Sequence, residues 1–121
     1  MLFNEVTVMG GVITGAVVTI AVGILCIVIG ILNTKGNISM LHSYHRKRVT
    51  EADRLPFGRL VGLGMILIGI SVIVGGVLMT LGELLEGDLF VIAGTVLMIV
   101  GLLAGIAVSF YAMIKYNKGI F

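Results

Sequence analysis

Charge is what this 121-residue chain has least of. Only 12% of its residues are Asp, Glu, Lys or Arg, where soluble domains carry about 25%. With 59% of the residues hydrophobic, there is too little polar surface to cover a water-exposed globule, so lipid is the expected solvent. One cysteine, Cys26, excludes an intramolecular disulfide and is expected to be a small buried hydrophobe. One proline, Pro56, lies outside the apolar runs, so no span carries the proline-broken half-helices that build midplane substrate sites. No Asp, Glu, Lys, Arg or His stands in the middle of a run. The polar residues there are Thr14, Thr19, Ser71, Thr95 and Ser109. Ion-coupled carriers need an ionisable group within the membrane, so a lone copy is a poor pump.

Catalytic signatures are missing as well. Gly10-Gly11-Val12-Ile13-Thr14-Gly15 lacks the Lys-Ser/Thr ending of a phosphate loop. There is no Gly-x-Ser-x-Gly and no His-Glu-x-x-His. The sequence thus predicts a non-enzymatic protein with no cofactor, no bound metal and no nucleic-acid partner.

What is present is a set of three long apolar runs, residues 10–32, 60–81 and 89–114. Each is long enough to cross about 30 Å of hydrocarbon as a helix of roughly 20 residues. Helices satisfy every backbone polar group internally, which open strands do not. The predicted fold is therefore an all-α integral membrane protein, a single membrane domain over 1–121 with three transmembrane helices. No Lys or Arg precedes the first run, so it reads as a retained span rather than a cleaved signal peptide.

The bases give a direction. Lys35, Arg46, Lys47, Arg48, Arg54 and Arg59 lie in the loop 33–59, and Lys115 and Lys118 follow the third run. The segment between the second and third runs holds Glu83, Glu86 and Asp88 and no base. The positive-inside rule then predicts the N-terminus outside, the loop 33–59 inside and the C-terminus inside. Tyr111 and Tyr116 flank Lys115, as expected of an interfacial anchor.

Glycines recur every seven residues: Gly23 and Gly30 after Ala16, then Gly62, Gly69 and Gly76, then Gly94 and Gly101 after Gly87. A heptad stays on one side of a helix with slight drift. These positions predict grooves where helix backbones approach, since in lipid close packing rather than apolar burial holds helices together. Antiparallel register places Gly30 near Gly62, Gly23 near Gly69, Gly76 level with about Gly94, and Gly69 with about Gly101. The grooves serve packing within one three-helix bundle, or between copies. Gly11/Gly15, Gly58/Gly62 and Gly101/Gly105 also fit the Gly-x3-Gly pattern.

The loop 33–59 is the substantial polar segment. Residues 37–49 approximate the spacing of a short amphipathic helix lying in the interface, with Arg46, Lys47 and Arg48 towards anionic lipid headgroups or a partner's acidic surface. Thr50-Glu51-Ala52-Asp53 has the form of a helix-capping box, and Pro56 suits the first turn of the second span while pushing Leu55 out of helical geometry. His42 and His45 would share a helix face. Two imidazoles fall short of a metal site, so local hydrogen bonding is predicted for them.

Leu41-His42-Ser43-Tyr44-His45-Arg46, then Val49, Asp53, Arg54 and Arg59 leading into Gly62, resemble a family of small glycine-rich prokaryotic membrane proteins known only as a domain of unknown function. The resemblance covers roughly residues 31–76. It implies a prokaryotic cytoplasmic-membrane protein and supplies no catalytic or binding residues. The predicted role is a structural or accessory subunit, or a self-associating membrane protein, with the basic loop on lipid. The alternative is a homo-oligomeric channel or passive facilitator lined by Thr14, Thr19, Ser71 or Thr95.

Overall fold

The computed structural model describes residues 2–38 and 46–119. Three α-helices account for almost all of them: α1 (Leu2–Thr34), α2 (Arg54–Leu85) and α3 (Asp88–Tyr116). All three are long and apolar enough to cross a membrane, which makes this a multi-pass membrane protein. At 1.5 Å per residue each helix runs to roughly 45 Å, longer than the hydrocarbon. The helices extend past the apolar runs at both ends, because nothing in residues 2–9 or 54–59 breaks them. Pro56 is no exception. It sits in the first turn of α2, where no backbone N–H partner is required. Leu55 is helical too, contrary to the expectation that Pro56 would displace it: α2 starts before the proline, at Arg54.

The helices do not form a closed bundle. Helix α2 lies between the other two and packs along both, whereas α1 and α3 meet at most at an isolated point. Two seams on α2 produce this layout. Gly58, Gly62, Gly69 and Gly76 face α1; Gly64, Ser71, Gly75 and Gly82 face α3 or the turn leading into it. At about 100° per residue the seams lie roughly 135° apart around α2. Neighbours docked at that angle are held too far apart to touch.

Along each seam, backbone rests on backbone. A Cβ added at Gly69 would lie 2.6 Å from the Gly23 carbonyl oxygen, and one at Gly23 would lie 2.9 Å from that of Gly69. Gly30 and Gly62 oppose one another in the same reciprocal way, seven residues on along α1 and seven back along α2. On the other side, Gly64 opposes Gly105 and Gly75 opposes Gly94, with carbonyls 2.6–2.8 Å from the added Cβ positions. Any side chain larger than hydrogen would wedge these helices apart. With the carbonyl of each glycine over the other's Cα, weak Cα–H···O contacts add to the dispersion energy.

Larger side chains are buried at one end. Ile38, Phe57, Val61, Ala112 and Met113 form an apolar cluster, with Val49, Leu60 and Tyr116 packed against it. The opposite end of α2 closes by a tight turn. Glu86 adopts a left-handed backbone (φ 53°), and the Gly87 N–H donates to the Gly82 carbonyl at 2.9 Å. The turn lets α3 start at Asp88, so the acidic segment is a two-residue link rather than a loop.

Candidate functional site

The basic residues gather at the end that carries the apolar cluster. Helix α1 ends at Thr34, and the chain turns through Gly36 (φ 92°), a conformation that glycine adopts freely. This turn presents the Gly36 carbonyl to Arg54, whose Nε donates to it at 2.6 Å. Arg54 Nη1 also reaches Glu51 Oε1 at 3.4 Å. The pair is exposed and long, so it orients the guanidinium more than it stabilises the fold.

The chain entering α2 is pinned at several further points. The backbone N–H of Arg48 donates to Asn117 Oδ1 at 2.8 Å, and Asn117 Nδ2 donates to the Gly119 carbonyl at 2.9 Å. Asn117 itself is fully buried. Phe57 stands edge-on to Tyr116, with ring centroids 6.4 Å apart. Thr50 Oγ1 accepts from the Asp53 N–H at 3.3 Å, one half of a capping box, and the following turn leads directly into α2. Lys115 Nζ lies 5.2 Å from the Tyr116 ring centroid and 5.8 Å from that of Tyr111. Asn33 is also buried. Its carbonyl rests on Gly58, its Nδ2 reaches Met65 Sδ at 3.7 Å, and its Oδ1 has no hydrogen-bond partner among the described residues.

Two hollows flank Arg54. One, of about 370 Å³, is lined by Lys35, Gly36, Asn37, Glu51, Arg54 and Leu55. The other, of about 290 Å³, is lined by Ile38, Arg46, Lys47, Val49, Glu51 and Arg54. The predicted contact residues therefore divide: Arg46 and Lys47 line a hollow, whereas Arg48 contributes its backbone to the tie with Asn117. Lys35 and Arg54 had not been singled out. Their signal was present in the sequence, since both are bases bordering the same loop. Residues 39–45, with His42 and His45 and most of the expected interfacial helix, lie outside the described residues. The first residue described after them, Arg46, is helical, and in the turn that follows the Val49 N–H donates to the Arg46 carbonyl.

The predicted packing glycines are distributed over both seams. Gly23, Gly30, Gly62 and Gly69 meet as two opposed pairs between α1 and α2. Gly76 faces Thr19 of α1; it is Gly75 that opposes Gly94, so the α3 side of α2 is one residue off the heptad. Gly101 faces the Ser71 side chain. Gly64, Gly75 and Gly82 were missed, because a single heptad was followed along each helix, whereas Gly58 and Gly105 had been noted through their Gly-x3-Gly spacing to Gly62 and Gly101. The hydroxyls of Thr14, Thr19 and Thr95 donate to carbonyls of their own helix at 2.8–3.0 Å. Ser71 is buried against Gly101.

The acidic end is looser. Between α1 and α2 a cavity of about 170 Å³ is bordered by Gly11, Gly15, Thr19, Gly76 and Glu83 among others. An added Cβ at Gly10, Gly11 or Gly15 would meet nothing within 4 Å. Comparison with known proteins finds no matching family model, no similar curated protein and no similar solved structure. The geometry of the chain itself therefore carries the functional reading.

Proposed function

We propose that this chain is a small non-enzymatic structural or accessory subunit of the prokaryotic cytoplasmic membrane, or a self-associating membrane protein. Its N-terminus faces out, and its basic end lies on the anionic lipids of the inner surface. One observation carries the assembly reading: towards the acidic end the tight seam between α1 and α2 gives way to a cavity. Gly10, Gly11 and Gly15 border open space, and Gly11/Gly15 has the Gly-x3-Gly spacing of a close helix contact. The seven heptad glycines already pack inside the chain, so association falls to this part of α1.

The orientation is supported by the gathering of Lys35, Arg46, Lys47 and Arg54 at one end and of Glu83, Glu86 and Asp88 at the other. The hydroxyls needed to line a channel are turned back to their own helices or buried, which weighs against the passive-facilitator reading.

The test is the mass of the protein purified from its own membrane in a gentle detergent, with identification of whatever accompanies it. A defined oligomer or heteromer is expected, reduced to a folded single chain by Gly11→Leu combined with Gly15→Leu. A monomer in the unaltered protein, or an assembly untouched by the double substitution, refutes the reading.

A further inference from the structure

We propose that the two hollows beside Arg54 form one site for a lipid headgroup bearing two phosphates, that of a diphosphatidylglycerol, with one phosphate in each hollow. The inference rests on the reading that the basic end lies at a lipid surface, and it deepens that reading by naming the lipid.

The arrangement of charge is the first ground. Arg54 and Glu51 line both hollows; Lys35 adds a base to one, Arg46 and Lys47 to the other. Among the described lining residues, Lys35, Lys47 and Arg54 stand against Glu51, an excess of positive charge, with Arg46 beside them. A single phosphate held in one hollow leaves the base of the other, Lys35 or Lys47, without an anion. Two phosphates joined by a short bridge satisfy both, with Arg54 between them. Its planar guanidinium has five N–H donors, and only two are engaged in the bonds to Gly36 and Glu51. A phosphate that displaces the exposed Glu51 carboxylate gives up only a weak ion pair.

Preorganisation is the second ground. Loose basic loops attract any anionic surface. This one is fixed on both sides of the site. The Gly36 carbonyl holds Arg54, the buried Asn117 holds the backbone at Arg48, and Ile38 and Val49 pack into the apolar cluster. These ties hold the Arg54 guanidinium and the backbone on either side of the hollows, so headgroup geometry adds to charge in setting the preference.

The third ground points to a lipid. Leu55 lines one hollow and is exposed, and Arg59 and Leu63 follow it at four-residue steps, both exposed. Four-residue steps keep one helix face. That face leads from the hollow into the apolar span, where an acyl chain has a continuous surface.

The experiment is native mass spectrometry of the full-length protein in mild detergent. It is titrated with diphosphatidylglycerol, and separately with phosphatidylglycerol at twice the concentration to match phosphate. One diphosphatidylglycerol per chain is expected, bound at least tenfold more tightly than phosphatidylglycerol. Arg54→Gln should weaken binding at least tenfold, and Lys118→Gln, a base lining neither hollow, less than twofold. Because Arg54 also ties Gly36, a Lys35→Gln/Lys47→Gln protein that keeps the tie is measured too, and a similar loss is expected. Glu51→Gln should tighten binding severalfold, while Asp53→Asn, with the same change of charge, should not.

Equal binding of the two lipids at matched phosphate overturns the proposal, as do equal effects of Arg54→Gln and Lys118→Gln. Displacement of the lipid by millimolar inorganic pyrophosphate would make the ligand a soluble bisphosphate and overturn the lipid assignment. None of these failures alters the assembly mass, which tests the function separately.

Discussion

Gly69→Ala and Gly15→Ala are the same chemical change on two helices of one chain, and the structure predicts opposite signs for them. At Gly69 the new Cβ would lie 2.6 Å from the Gly23 oxygen, 2.7 Å from Ile27 Cγ1 and 3.2 Å from the Ile27 nitrogen. Two of the three atoms are backbone and cannot rotate away. The third belongs to a β-branched side chain held to one χ1 in a helix. Carbon contacts are comfortable near 3.5–4.0 Å, so the seam must open by roughly 0.5–1 Å, forfeiting a quarter to a half of each contact it stretches. Overpacking of this kind costs about 1–3 kcal/mol, and replacing a helical glycine by alanine returns about 0.8–1 kcal/mol. The net runs from about zero to a loss of about 2 kcal/mol. At Gly15 nothing lies within 4 Å, so only the gain remains, and the two variants should differ by the overpacking cost, about 1–3 kcal/mol. Cys26, the only thiol and half-buried, provides the assay: its alkylation rate is followed as the mole fraction of a denaturing detergent rises. Gly69→Ala should unfold at a lower fraction than the unaltered protein, and Gly15→Ala at the same fraction or higher. If both variants shift together by similar amounts, backbone contact does not set the seam and the reasoning fails.

Gly101→Ala should be among the most damaging alanine substitutions, because the new methyl would overlap the Ser71 side chain. Ser71→Gly should recover most of that loss, and a double-mutant cycle in the same titration measures the coupling. Glu86→Gly should stabilise the turn by about 1 kcal/mol, since Glu86 holds a left-handed backbone that glycine adopts without strain; an unchanged midpoint would argue against strain there. Asn117→Ala removes the acceptor for the Arg48 N–H and the donor to Gly119, at a cost of about 1–3 kcal/mol for the buried group left unpaired. Its effect should be local, read as faster proteolysis near residues 46–53 while the three helices keep their circular dichroism.

The spans were legible because an uncharged apolar run has few other uses. The α1–α2 seam was legible because a heptad kept Gly23, Gly30, Gly62 and Gly69 in antiparallel register. What the heptad concealed was that a central helix needs two seams. Gly64, Ser71, Gly75 and Gly82 step by seven, four and seven, a pattern that following Gly62, Gly69 and Gly76 alone passes over. A usable signal existed: α2 holds Gly58, Gly62, Gly64, Gly69, Gly75, Gly76 and Gly82, against Gly94, Gly101 and Gly105 in α3. The helix richest in glycine is the one with a neighbour on each side. The basic cluster was visible as composition, but its division was not. Whether Arg48 points into a hollow or ties its backbone to Asn117 depends on a residue 69 positions away, and no local pattern encodes that.

The two ends of the molecule are built on different physics, and that difference connects its parts. At the acidic end the core is backbone against backbone, and it runs out where α1 passes Thr19: Gly76 still finds a neighbour there, but Gly15 and Gly11 do not. With α2 ending at Leu85, about eight residues of α1, roughly 12 Å of helix, continue past it without support. At the basic end α2, α3 and the chain that follows α1 are bound by an apolar cluster, an edge-on aromatic pair and a buried asparagine that reaches across the chain. A wholly glycine-packed chain would leave the basic residues on a mobile loop, and a wholly side-chain-packed one would leave α1 no free groove. The gradient from one kind of packing to the other fixes the charged end for headgroup recognition and leaves the far end of α1 available to another helix. The two proposed contacts are therefore separable. Substitutions at Gly11 and Gly15 should leave lipid preference intact, and Arg54→Gln should leave the assembly mass intact. Loss of both properties from either change would mean that the ends are coupled through α2.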